Sequence, residues 1–113
     1  MQQTTHNTTI ASGASLSAAV TLGPHRAVAI VMPADWTAAS LTFEVSVDGG
    51  TTYKPLYDIY GQEYTVPAGA ARTILLPPSD FASFDALKIR SGSAGTPVNQ
   101  GADRTLQIAS VFL

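Results

Sequence analysis

The chain has no cysteine, and charged residues make up only 12% of its 113 positions. Without cysteine there can be no disulfide, no thiolate nucleophile and no Cys-based zinc or iron–sulfur site, so stability must come from packing or from association. Basic residues are scarce as well: six Lys/Arg stand against eight Asp/Glu, for a formal charge of −2. That balance offers no basic field to condense on phosphate, and no nucleic-acid partner is expected. The longest apolar runs, Ala27–Met32 and Ile74–Leu76, are far below the ~18 residues of a membrane span, so no membrane partner is expected either. The start, Met1-Gln2-Gln3-Thr4-Thr5-His6, lacks the basic region and apolar block of a secretory signal, and synthesis in a cytoplasm is the expectation.

What is present is apolar material enough for a core, at 45% of residues, in a length that fits one domain. Serine, threonine, alanine and glycine fill the space that charge usually takes. Such a surface reflects either compositional drift or a protein largely covered in its working state.

Periodicity is two rather than 3.6. Leu41–Asp48 alternates apolar and polar, the glycines of Asp48-Gly49-Gly50 can close a hairpin, and Tyr53–Tyr57 returns. Pro55 places that return strand at a sheet edge or a bulge. Ala86–Ser91 alternates with Leu87 and Ile89 inward and Lys88 and Arg90 outward, and Thr105–Leu113 slips phase near Ala109–Ser110, which predicts a bulge or a strand buried on both faces. Arg26–Met32 is apolar at nearly every position, as a central strand covered on both faces would be. Shorter strands are expected at Thr8–Ala11, Ala18–Leu22, Glu63–Val66 and Arg72–Leu76. Single helical turns are expected at Ala34–Ser40 and Ser79–Phe84, the second opening on a Ser or Asp cap. The sum is an all-β chain, an antiparallel β-sandwich or jelly roll of eight or nine short strands with at most one-turn helices. A single domain is expected over residues 10–113. Residues 1–9 read as a polar arm, either a disordered terminus or one that adds a strand to a neighbouring subunit.

No residue set in the sequence spells out catalysis, and no enzymatic activity, cofactor or metal is expected. His6 and His25 have no second histidine or carboxylate at metal-ligand spacing, and a His25 general base would need a nucleophile and an orienting acid. The carboxylates are dispersed, several at strand ends where Asp bonds its own backbone. Asp48-Gly49-Gly50 lacks the alternating acids of a calcium loop. Trp36 either plugs the open end of the sandwich or anchors a partner, and Tyr60, in the turn Asp58–Gln62, is the aromatic expected to be most exposed. The long, nearly uncharged loop Ser91–Asp103 is a second candidate contact. The residues expected to meet a partner are Gln3, Thr4, Thr5 and His6 in the arm, Trp36, Tyr60, and Thr96, Val98, Asn99 and Gln100 in the loop.

Two stretches carry a resemblance: Val31 to Asp58, with Met-Pro-Ala-Asp-Trp and Ser-Val-Asp-Gly-Gly-Thr-Thr-Tyr, and Leu87 to Gln100 leading into Arg104-Thr-Leu-Gln-Ile108. Together they are similar to small proteins encoded among the virion genes of tailed bacteriophages and prophages. The resemblance implies a capsid decoration (cement) protein or head-fibre base, located on the virion surface. Its implied partners are the major capsid protein and further copies of itself, three being the expected number. It transfers no catalytic residue. The Ser-Val-Asp-Gly-Gly segment is also similar to galactose-binding-like sandwich domains, which implies the alternative of a carbohydrate-binding or adhesion module on a tail tip, fibre or head spike.

Overall fold

The computed structural model describes residues 2–112, in which eight strands are joined by turns and one 3₁₀ turn at Pro78–Phe81. The strands are β1 Gln2–Ile10, β2 Val20–Thr21, β3 Arg26–Val31, β4 Leu41–Ser46, β5 Lys54–Pro55, β6 Thr73–Leu75, β7 Ala86–Ser91 and β8 Arg104–Phe112. Their pairing follows one rule. β1 pairs with β8, β2 with β7, β3 with β6 and β4 with β5, all antiparallel, so the chain is one long hairpin bent at β4–β5. Rolling that hairpin adds the β3–β8 and β4–β7 contacts and yields two four-stranded sheets, ordered β1-β8-β3-β6 and β2-β7-β4-β5. This is a jelly-roll sandwich.

The core between the sheets is built by alternation. Ile10, Ile30, Leu106 and Ile108 from the first sheet meet Leu41, Phe43, Leu87 and Ile89 from the second, all at 0–1% exposure. Phe81 on the 3₁₀ turn closes one side, its ring 5.4 Å from Phe43 and 5.7 Å from Tyr64 in edge-to-face contacts. That turn lies inside the segment expected to be helical, but no side chain caps it; Pro77 and Pro78 set its entry instead. Ala34–Ser40 is a bent connection without a helical turn, and Glu63–Val66 makes only isolated bridges.

The arm expected over residues 1–9 is corrected for residues 2–9, Met1 lying outside the described residues. Residues 2–9 are not an arm outside the domain; with Ile10 they form the edge strand β1, in unbroken register with β8 from Gln2↔Phe112 to Ile10↔Arg104. The inward positions His6, Thr8 and Ile10 show why: Thr8 and Ile10 are buried, and Thr8 Oγ1 donates to the Ala18 carbonyl at 2.7 Å. The phase slip at Ala109–Ser110 does mark a bulge, with the extra residue on the neighbouring strand, at Val28 of β3. β3 is central as expected, but its outward Val28, Ala29 and Val31 remain half-exposed rather than covered. Pro55 sits on an edge strand, where its missing N–H costs no ladder bond.

Arg90 faces outward from β7 yet is only 6% exposed, because two loops roof that face of the second sheet. Its guanidinium bonds Glu44 and lies 3.2 Å from Glu63, whose carboxylate also accepts from the Ala94 N–H at 3.1 Å. Gly92 makes the second loop possible. At φ +86° a Cβ there would lie 2.6 Å from the Thr96 carbonyl, so only glycine fits. Removing the guanidinium leaves two largely buried carboxylates without a counter-charge. Arg90→Met is therefore expected to cost roughly 3–5 kcal/mol in urea unfolding. Unchanged stability would mean that the ion cluster does not hold the roof.

Candidate contact surfaces

Three surface regions gather the residues that the sequence singles out. The first is the hairpin after β5. Leu56 N–H donates to the Phe43 carbonyl at 3.0 Å and Tyr64 N–H to the Leu56 carbonyl at 2.9 Å, which pins the hairpin base to the sandwich. At its tip the Asp58 carboxylate accepts from the Tyr60 and Gln62 N–H groups at 2.8 and 3.0 Å. This turn forces Ile59 and Tyr60 into solvent, at 92% and 84% exposure. Tyr60 thus lies where the turn pattern puts it, but Ile59 beside it is as exposed and was not singled out. Its signal is apolar character inside a polar turn.

Beneath the tip runs an open cleft of about 370 Å³, lined by Leu56, Tyr57, Ile59, Tyr64 and Phe84 with two carboxylates, Asp58 and Asp80. Tyr64 Oη donates to Asp80 Oδ2 at 2.7 Å. Burial, then the Asp80 hydrogen bond and charge, push the Tyr64 phenol up to about 12, so it remains a donor at neutral pH. The cleft offers aromatic faces and carboxylate acceptors with no basic residue in its lining.

The loop after β7 is the second region. Thr96 and Asn99 are exposed and Val98 is half-buried, so these three are available on the surface. Gln100 is not: it is 1% exposed and its amide is spent inside the fold. Its Oε1 accepts from Thr37 N–H at 2.8 Å and Arg104 Nε at 3.2 Å, while Nε2 donates to the Thr37 carbonyl at 3.0 Å and Ser91 Oγ at 2.7 Å. It works as a strut, since a buried amide this fully bonded has nothing left for a partner. Trp36 is half-buried against the core with Nε1 donating to the Ala39 carbonyl at 3.0 Å, so its indole N–H is already bonded within the fold. Glu63 ties this loop to the tip hairpin through Ala94, so Tyr60 and Thr96 belong to neighbouring, cross-braced loops.

The third region is the β1 edge, where Gln3, Thr4 and Thr5 are exposed and His6 is half-buried. His6 Nε2 lies 3.0 Å from Ser110 Oγ, which has the atoms of a base and a nucleophile. Ser110, however, is fully buried, and its hydroxyl also donates to the Thr4 carbonyl at 3.3 Å. His25, beside Phe112 with ring centroids 5.8 Å apart, adds a second imidazole to this end. Among the described residues no group of three His, Asp or Glu is placed to hold a metal ion.

Comparison with family models, curated proteins and solved structures found no match.

Burial, and then the charge of His25, hold the His6 imidazole below its ordinary value of 6.5. The folded state therefore prefers neutral His6, and the unfolded chain binds the proton more readily. The stability from His6 is present above about pH 6.5 and is lost as pH falls through the lowered folded value. Thermal midpoints between about pH 8 and about pH 5 should fall on the acid side, and His6→Gln should flatten that slope. An unchanged slope in the variant would remove His6 as its source.

Proposed function

We propose that this chain is a non-enzymatic structural protein of a phage virion, a decoration protein that associates with copies of itself, three on the reading above, and coats the major capsid lattice. The observation that carries the reading is the apolar tip, where Tyr57, Ile59 and Tyr60 are exposed together in one turn, whereas the other exposed large hydrophobics, Val47, Leu75 and Phe112, lie on separate stretches of the chain. Large apolar groups held in solvent by a braced turn mark a protein–protein contact. The resemblance of residues 31–58, 87–100 and 104–108 to virion proteins supplies the setting. Many copies on a lattice multiply contacts that are individually weak.

A second reading has an observation of its own. The cleft of about 370 Å³ with Tyr57, Tyr64, Asp58 and Asp80 has the aromatic faces and carboxylate acceptors that saccharide rings and hydroxyls use, and favours a glycan-binding module.

Co-sedimentation with expanded capsids tests the first reading. Ile59→Asp with Tyr60→Asp, both at exposed positions where folding tolerates substitution, should weaken capsid binding at least about tenfold with unchanged thermal stability. A wild-type chain that does not bind capsids contradicts it. The same chain on a glycan array should be flat, whereas a signal abolished by Tyr57→Ala would install the second reading.

A further inference from the structure

A sheet edge is a row of free N–H and C=O groups ready to accept another strand, and sandwich proteins blunt such edges with short strands, prolines and charge. Three of the four edges here are blunted. β2 has two residues and runs into Gly23-Pro24, β5 is a lysine and a proline, and β6 has three residues flanked by Arg72 and by Pro77-Pro78. β1 has none of these devices. It is nine residues long, carries no proline and no Lys, Arg, Asp or Glu, and runs along β8 without a bulge.

Strand alternation fixes which of its backbone groups are free. The Thr9 carbonyl accepts from Ala18 N–H at 3.3 Å and so points away from β8. The Thr4 carbonyl points the other way, toward Ser110 on β8. Odd-numbered residues therefore turn outward, and Gln3, Thr5 and Asn7, all exposed, each present one N–H and one C=O with no partner among the described residues.

We propose that β1 pairs antiparallel with β1 of a second copy across a two-fold axis at Thr5, joining two four-stranded sheets into one of eight strands. That register sets Gln3 opposite the partner's Asn7 and Thr5 opposite the partner's Thr5, and uses every one of those outward groups once. Moving the axis to His6 pairs Gln3 with Thr9, whose carbonyl Ala18 already holds. Half-steps set outward groups against inward ones. An isologous contact brings each charge near its own copy, which favours a strand with none. The adjoining outward side chains of β8, Thr105, Gln107 and Ala109, add no charge either. An edge without charge offers no complement to a basic or acidic partner, and its spacing of free groups is its own complement. The contact deepens the proposed self-association and rests on it for its setting; being two-fold, it links one assembly to the next in a three-copy arrangement.

Sedimentation equilibrium of the full chain without capsids tests the contact. The wild-type mass should rise with concentration beyond that of the smallest assembly present, since each two-fold contact joins two such assemblies. Thr5→Pro removes only an outward N–H, sparing the β1–β8 ladder, and should weaken association about tenfold with an unchanged circular dichroism spectrum. Thr5→Cys, the sole thiol in the chain, should oxidise to a disulfide-linked dimer, since facing Cα atoms in such a pair lie ~5.5 Å apart. If Thr5→Pro does not fold, the cysteine variant decides. A chain that stays monomeric, a Thr5→Pro chain that associates like wild type, or a Thr5→Cys chain that does not cross-link overturns the contact. Monomers that still bind capsids would overturn the edge contact alone, and dimers that ignore capsids would overturn only the virion role.

Discussion

The β1–β8 ladder is the constraint on which the rest of the molecule depends. It joins Gln2 to Phe112, the two ends of the described chain, and carries β8 as a shared partner between β1 and β3. Without β1 beside it, β8 would be the edge strand of its sheet, with the backbone groups on that side unpaired. With β1 in place, Thr8 and Ile10 complete the layer that Leu106 and Ile108 begin. In a chain without disulfides, this backbone pairing holds the roll closed. It also leaves the outward N–H and C=O groups of Gln3, Thr5 and Asn7 free among the described residues.

The two outer faces of the sandwich are treated unequally. Over the second sheet, loops carrying Glu63 and Ala94 cover Thr42 and Arg90, and a guanidinium between two carboxylates locks them down. Part of the chain's scarce charge is thus enclosed rather than displayed. The first sheet has no such roof: Thr73, Leu75, Thr105 and Gln107 face solvent, with Leu75 at 85% exposure. The proposed role draws on this asymmetry, because the open sheet, its unguarded edge and the apolar tip are the surfaces left for other molecules.

Much of the fold was legible in the sequence, and the exceptions have physical reasons. β4, β7 and β8 announce themselves because one face is apolar and the other polar, which period-two alternation reports directly. β1 does not, since its inward positions include the half-buried His6 and the buried Thr8, which are held by hydrogen bonds to Ser110 and Ala18 rather than by hydropathy. Arg90 was placed on the correct face, but alternation within one strand says nothing about a loop distant in sequence that covers it. Gln100 illustrates the same limit for the contact residues. A polar side chain in a long loop looks available until the fold brings Thr37 and Ser91 against its amide. Tyr60 was legible because Asp58 and Gly61 define its turn locally, whereas the cleft joins Tyr57 to Asp80 and Phe84 across the fold.

In the proposed role, this jelly roll acts through its open edge and tip. Amide hydrogen exchange, compared between dilute protein and protein on expanded capsids, measures this directly. New protection is expected at the outward amides of Gln3, Thr5 and Asn7 and in the Tyr57–Gln62 turn, with core strands unchanged. Exchange at those amides as fast on the particle as in dilute solution would contradict that role.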